Sequence, residues 1–136
     1  MQKAAFSIQD YRFAKFTLNL ANHSENDLEI KFEPSGVYEK EESRFLLEFR
    51  AVIFRQGQEE NSFVDVTCQG VFSFENVPTF EDIPDYFYRN CIALLFPYLR
   101  AYISMVTTQA NVPGIILPTY NLSGLEELLR KSTSQK

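Results

Sequence analysis

A chain of 136 residues with 45% hydrophobic and 23% charged side chains is large enough to fold as one domain, 1–136, around its own core. Its 13 Lys and Arg against 18 Asp and Glu leave a net charge of −5, so it lacks the basic footprint of a nucleic-acid binder and is repelled by anionic membranes. Met1–Asp10 holds no apolar run of signal-peptide type, and no later segment reaches roughly 18 uninterrupted apolar residues, which predicts a cytoplasmic protein without membrane insertion.

Apolar residues alternate at period two in the first part. Phe16, Leu18 and Leu20 share one face, opposite Lys15, Thr17 and Asn19. Leu28, Ile30 and Phe32 alternate with Glu29, Lys31 and Glu33 in a second half-buried strand, and Pro34–Gly36 reads as the turn that ends it. Phe45, Leu47, Phe49, Ala51 and Ile53 line one face of a long third strand. After the polar link 55–61, a fourth strand buries Val64, Val66, Cys68, Phe72 and Phe74 and exposes Phe63, Asp65, Thr67, Gln69 and Ser73. Strands in succession with short connections predict an antiparallel sheet with one covered face.

The period changes near Pro84, which suits a first helical turn. One stripe of the predicted helix, Phe87, Cys91, Leu94, Leu95, Tyr98, Tyr102 and Met105, is assigned to the sheet. A second set, Ile92, Phe96, Leu99, Ile103 and Val106, covers another side. One sheet covers one side only, so the second predicts a partner subunit, with the short last helix as the alternative cover. Pro97 inside the helix predicts a bend. The apolar stretch Ile115–Tyr120 is too greasy for an ordinary loop, and a final helix with Leu122, Leu125, Leu128 and Leu129 opens on a capping box, Ser123 to Glu126. The tail from Ser132 to Lys136 is expected to fray.

Chemistry is sparse along this chain. His23 is the single candidate general base and sits in a polar loop, where a solvated side chain is the expectation. Glu39, Glu41 and Glu42, and Glu59 and Glu60, read as solvated faces. No G-x-S-x-G or phosphate-cradling glycine loop is present, and Cys68 and Cys91 lack CxxC spacing. They are read as reduced, buried thiols. Neither an enzyme nor a metal or cofactor site is expected. The surplus of apolar residues at edges and loops, Tyr11, Phe13, Tyr38, Phe54, Phe63 and Ile115–Tyr120, marks instead an interface or a greasy groove.

The run Leu94-Leu95-Phe96-Pro97-Tyr98-Leu99-Arg100, followed by Val112-Pro113-Gly114-Ile115-Ile116-Leu117-Pro118-Thr119-Tyr120, resembles the LFPYxR helix and the following Pro-rich segment of the SecB family of protein-export chaperones. Gly70-Val71-Phe72-Ser73-Phe74 and Phe6-Ser7-Ile8-Gln9 resemble that family's strand end and opening strand. The resemblance runs from about Phe6 to Leu129. It implies an α+β fold, a four-stranded antiparallel sheet covered on one face by a long kinked helix and a short C-terminal one. It also implies an ATP-independent holdase that binds unfolded polypeptides in a groove formed by Leu28, Ile30, Phe32, Tyr38, Val112, Ile115, Leu117, Tyr120, Leu122, Leu125 and Leu129. A dimer of dimers would form through Phe96, Leu99, Ile103 and Val106. The translocation motor SecA would dock on an outer face at Lys15, Asn19, Phe63 and Asp65, but Lys15 and Asn19 replace the family's acidic residues there, and its zinc-binding extension has no counterpart before Lys136. The alternative is a dedicated chaperone that guards one antitoxin in a toxin–antitoxin–chaperone module.

Overall fold

A computed structural model describes residues 3–112 and 122–136. Strands β1 (Ala5–Leu18), β2 (Leu28–Glu39), β3 (Arg44–Arg55) and β4 (Ser62–Glu75) are followed by helix α1 (Asp85–Gln109), helix α2 (Leu125–Lys131) and a short strand β5 (Thr133–Gln135). They form one sheet in the order β1-β4-β3-β2-β5. The first four strands pair antiparallel, and β5 adds to β2 in parallel. The predicted four-stranded sheet thus carries a small fifth strand.

Side chains opposite one another across a ladder share a face, so register identifies the covered side. Ile30, Phe32, Pro34, Gly36 and Tyr38 of β2 stand opposite Ile53, Ala51, Phe49, Leu47 and Phe45 of β3. Phe45, Phe49, Ala51 and Ile53 in turn oppose Phe72, Cys68, Val66 and Val64 of β4. In β1 the apolar residues Phe6, Ile8, Tyr11, Phe13, Phe16 and Leu18 step by two and three in turn, and register shifts between Ile8 and Asp10 and between Phe13 and Lys15 absorb each extra residue. Two bulges therefore hold the whole apolar row on one face.

The expected turn at Pro34–Gly36 is strand instead. Pairing with β3 continues to Glu39, and the true turn lies at Lys40–Ser43, where Ser43 takes a φ of 51°. Proline is tolerated here because, among the described residues, only β3 pairs with β2 at Pro34, and the missing N–H faces away from β3, where no ladder bond is lost.

Helix α1 lies on the covered face, and Phe87 meets Phe6, Phe45 and Phe74 edge-on, each with ring centres 4.8 Å apart. Each fully buried Phe of this cluster contributes roughly 1.5–3 kcal/mol of transfer free energy. By length and composition alone α1 could cross a membrane, but its side from Phe87 through Leu95 and Leu99 to Thr107 is buried in this fold. The helix continues through Pro97, which lies on its exposed side.

The tail does not fray. Gly36 N–H donates to the Ser132 carbonyl at 3.2 Å, and Lys136 N–H donates to the Tyr38 carbonyl at 2.8 Å. The capping box expected from Ser123 to Glu126 depends on the Ser123 side chain, which lies outside the described residues; Gly124 stands at the cap position of α2, and Glu126 pairs with Arg130.

Candidate client groove

Of the predicted groove residues, Leu28, Ile30 and Phe32 form a half-buried apolar row on the covered face of β2. Phe32 stacks on Phe49 with centroids 5.5 Å apart and meets Phe96 edge-on at 5.9 Å. Leu122 and Leu125 are half-buried at the start of α2, which lies against β2, and Val112 is half-buried just past α1. Tyr38 and Leu129, at 1% and 0% exposure, belong to the core and present no wall to a ligand. Tyr38 donates its hydroxyl to the Val77 carbonyl at 2.9 Å, which satisfies the polar end of a buried ring. Ile115, Leu117 and Tyr120 lie outside the described residues.

One arginine anchors α2. Arg130 reaches Asp85 at 2.7 Å, Glu126 at 3.2 Å and Glu127 at 3.3 Å, and its guanidinium lies 4.8 Å from the centre of the Tyr88 ring. It therefore ties the short helix to the start of the long one. Hydrogen bonding to Asp85 raises the Arg130 pKa, so its charge is permanent.

The residues expected at a self-association interface are not on the surface. Phe96, Leu99 and Ile103 are buried at 6%, 0% and 0% inside the chain's own core, and Val106 is half-buried. Leu94, Tyr98 and Met105, assigned from sequence to the sheet, are exposed at 43%, 41% and 54%. The two stripes are adjacent on the helix, and the sheet takes the one centred on Leu95 and Leu99. Tyr98 stacks on Tyr11 at 4.1 Å and Tyr102 on Phe13 at 3.8 Å, which extends the aromatic surface onto β1.

The outer face of the sheet carries a network of ion pairs. Arg50 donates to both carboxylate oxygens of Asp65, at 3.0 and 2.7 Å, and to Glu33 at 2.8 Å. The guanidinium holds the Asp65 carboxyl below its ordinary pKa against the opposing effect of burial. Lys31 pairs with Glu59 at 2.8 Å. Of the predicted docking residues, Lys15 is exposed, and Asn19, also exposed, accepts from the Ala21 N–H. Asp65 is occupied by Arg50. Phe63 is 1% exposed and so cannot belong to a docking face; His23, half-buried instead of solvated, packs edge-on against its ring at 4.9 Å. Sequence reasoning passed over a depression of about 230 Å³ on this face, bordered by Arg12, Val37, Leu46, Glu48 and Val71. Its apolar lining was visible as Val37, Leu46 and Val71 in outward-facing positions.

Cys68 and Cys91 are free and buried. Desolvation pushes the Cys68 thiol up to about 12 and raises Cys91 as well, so neither is a nucleophile at neutral pH. Among the described residues no group of His, Cys, Asp and Glu could hold a metal ion.

Residues 13–131 match the preprotein translocase subunit SecB family. The chain belongs to the SecB family. A protein-export protein SecB from Cereibacter sphaeroides is 33% identical over 85 residues, 60% of this chain and 51% of that protein. A SecB from Acinetobacter baumannii is 27% identical over 95 residues, 68% of this chain and 62% of the relative. An uncharacterized protein, MJ0357 of Methanocaldococcus jannaschii, is 43% identical over 51 residues, 35% of this chain and 33% of its own. These matches span from a third to about three-fifths of the relatives' lengths. Among solved structures, a Mycobacterium tuberculosis SecB-like chaperone in complex with a ChAD peptide from an antitoxin superposes with a TM-score of 0.65 at 20% identity, over 85% of this chain and 90% of that one. The shared fold is SecB-like.

Proposed function

We propose that this protein is an ATP-independent holdase of the cytoplasm that binds unfolded polypeptide in an apolar groove. The half-buried row Leu28, Ile30 and Phe32 beside Leu122 and Leu125, in a chain of the SecB family, carries this reading. Contact of that kind is mostly nondirectional and tolerates many sequences. Copies associate through the exposed strip Leu94, Tyr98 and Met105, so one assembly offers several grooves to one client.

The test is light-scattering mass after size exclusion, without nucleotide, of the chain with reduced, alkylated α-lactalbumin. Co-elution is expected. Ile30→Ser with Leu125→Ser removes two apolar walls and should weaken binding at least tenfold, at roughly 1.5 kcal/mol or more per side chain. Wild-type protein that binds no unfolded chain sinks the reading.

A dedicated client is the second reading, and the outer face favours it. Lys15 and Asn19 are not acidic and Asp65 is already paired, which leaves a cationic SecA surface little to grip. The Mycobacterium tuberculosis SecB-like chaperone of similar fold was solved with an antitoxin peptide. A toxin–antitoxin pair beside the gene supports this reading, and an isolated gene counts against it.

A further inference from the structure

An apolar row crosses the outer face of the sheet between polar ones. Lys15, Thr67, Arg50 and Glu33 stand side by side, and Arg12, Gln69, Glu48 and Ser35 form the next row. Val71, Leu46 and Val37 come after it, apolar on three adjacent strands and half-buried on each. Beyond them Ser73, Arg44 and Glu39 are polar again. None of the three apolar residues belongs to the core or packs against it. A sheet with one covered face carries polar groups at its outward positions, so three apolar side chains abreast there have a cause outside the fold.

These three side chains border the depression of about 230 Å³. Two strand spacings separate Val71 from Val37, about 10 Å. The volume falls below the roughly 300–1,000 Å³ of pockets that enclose a drug-sized ligand, and it suits one large side chain of a partner. Arg12 and Glu48 are the charged residues at the border. Arg12 pairs with Asp10 at 3.3 Å. Glu48 is exposed and forms no ion pair or hydrogen bond among the described residues, and its cross-strand neighbours Ser35 and Gln69 are neutral. An apolar floor beside an unbalanced carboxylate is complementary to an apolar group beside a cation.

We propose that this depression is an anchor site for a partner protein, taking a segment with one large apolar side chain beside a Lys or Arg. The apolar group seats on Leu46 between the two valines, and the cation meets Glu48. The site lies on the face of the sheet opposite the groove row, so a partner held there leaves the groove open. It is also separate from the docking positions expected near Asp65, which stands six residues along β4 from Val71, about 20 Å away. The inference stands independently of the holdase reading.

The test titrates two end-blocked peptides, Gly-Ser-Lys-Phe-Lys-Ser-Gly and Gly-Ser-Glu-Phe-Glu-Ser-Gly, into the full chain with its Ile, Leu and Val methyl groups labelled for NMR. The lysine peptide should shift the methyls of Val37, Leu46 and Val71 with a Kd of about 0.1–1 mM and leave Leu28 and Ile30 unmoved. The glutamate peptide should bind about threefold more weakly. Glu48→Lys, at an exposed position, should reverse that preference, and Leu46→Ser should weaken the lysine peptide about tenfold. Unchanged core methyls at Leu95 and Ile103 verify that each variant is folded. Shifts confined to Leu28 and Ile30 mean that the groove takes the peptide, and the anchor site falls. Equal binding of both peptides by wild type and Glu48→Lys removes the charge argument and overturns the proposal, as does an absence of shifts up to about 5 mM. A mass that rises with concentration in the wild type but not in Leu46→Ser shows that a second copy occupies the depression, which also overturns it.

Discussion

Gly36 lies where an added methyl group changes the sign of an ordinary effect. A Cβ there would sit 2.6 Å from Cε1 of Phe45, closer still to Cζ, and 3.2 Å from the Thr133 hydroxyl. Phe45 is fully buried, and its ring is held by Phe87 at 4.8 Å, Tyr88 at 6.2 Å and Phe74 at 6.3 Å. In a roomy strand, Gly→Ala stabilises by about 0.5–1 kcal/mol. Overpacking a dense core costs about 1–3 kcal/mol, and a clearance this short lies at the upper end. Gly36→Ala should therefore destabilise by about 2 kcal/mol net, or a fall in Tm of about 8 °C for a domain of this size. Urea denaturation at fixed protein concentration measures it, with the slope m unchanged. Phe45→Leu gives the control: in that background the Gly36→Ala cost should shrink below about 0.5 kcal/mol. A Gly36→Ala protein as stable as the wild type, or more so, refutes this account of why glycine stands inside a strand.

Arg50→Met leaves Asp65 without its bidentate partner and should cost about 1–3 kcal/mol at neutral pH. Because the folded pKa of Asp65 is depressed, its contribution is complete above about pH 5 and is lost as pH falls through the folded value, so acid unfolding of Arg50→Met should lack that component. Both thiols should resist a disulfide reagent at pH 8 in the native protein and react on unfolding; rapid labelling of Cys68 in the native state would contradict its burial and its pKa of about 12. Tyr38→Phe strands the Val77 carbonyl and should cost about 1–2 kcal/mol in urea denaturation without changing client affinity, since Tyr38 is core and not groove wall.

Alternation made β3 and β4 legible because both are central strands with one apolar face and no interruptions. In β1 it was legible only from Phe16 onward; the spacing 6, 8, 11, 13, 16, 18 looks irregular until two bulges are allowed for. Pro34 misled for a related reason: Pro-Ser-Gly has turn chemistry, but its missing N–H faces away from β3, the strand that pairs with β2 there among the described residues, so the ladder loses no bond. The faces of α1 could not be ranked from sequence. Both stripes are apolar, and only the sheet's aromatic row, with Phe45 and Phe72 packed against Phe87 of the helix, decides which one is covered. β5 was illegible because three polar residues held by backbone bonds leave no periodic trace. The groove was half legible: the β2 row came from period two, whereas Tyr38 and Leu129 continue the same patterns into the core.

The two candidate surfaces lie on opposite margins of the sheet, and this separation has a measurable effect. The exposed strip of α1 joins β1 through the Tyr98–Tyr11 stack, while the groove row Leu28, Ile30 and Phe32 belongs to β2. Two strands intervene in the order β1-β4-β3-β2, which puts roughly 14 Å between the margins. Copies that join through α1 would therefore leave each groove uncovered by the partner, and a long client could span several of them. Leu94→Glu with Met105→Glu charges two exposed positions at little cost to the fold and should lower the mass of the assembly. A peptide of about ten residues, short enough for one groove, should bind this variant as tightly as the wild type, while long unfolded chains should lose at least tenfold as avidity disappears. Equal losses for the short peptide and the long chain would show that the client surface extends onto α1, and the two margins would then have to be treated as one site.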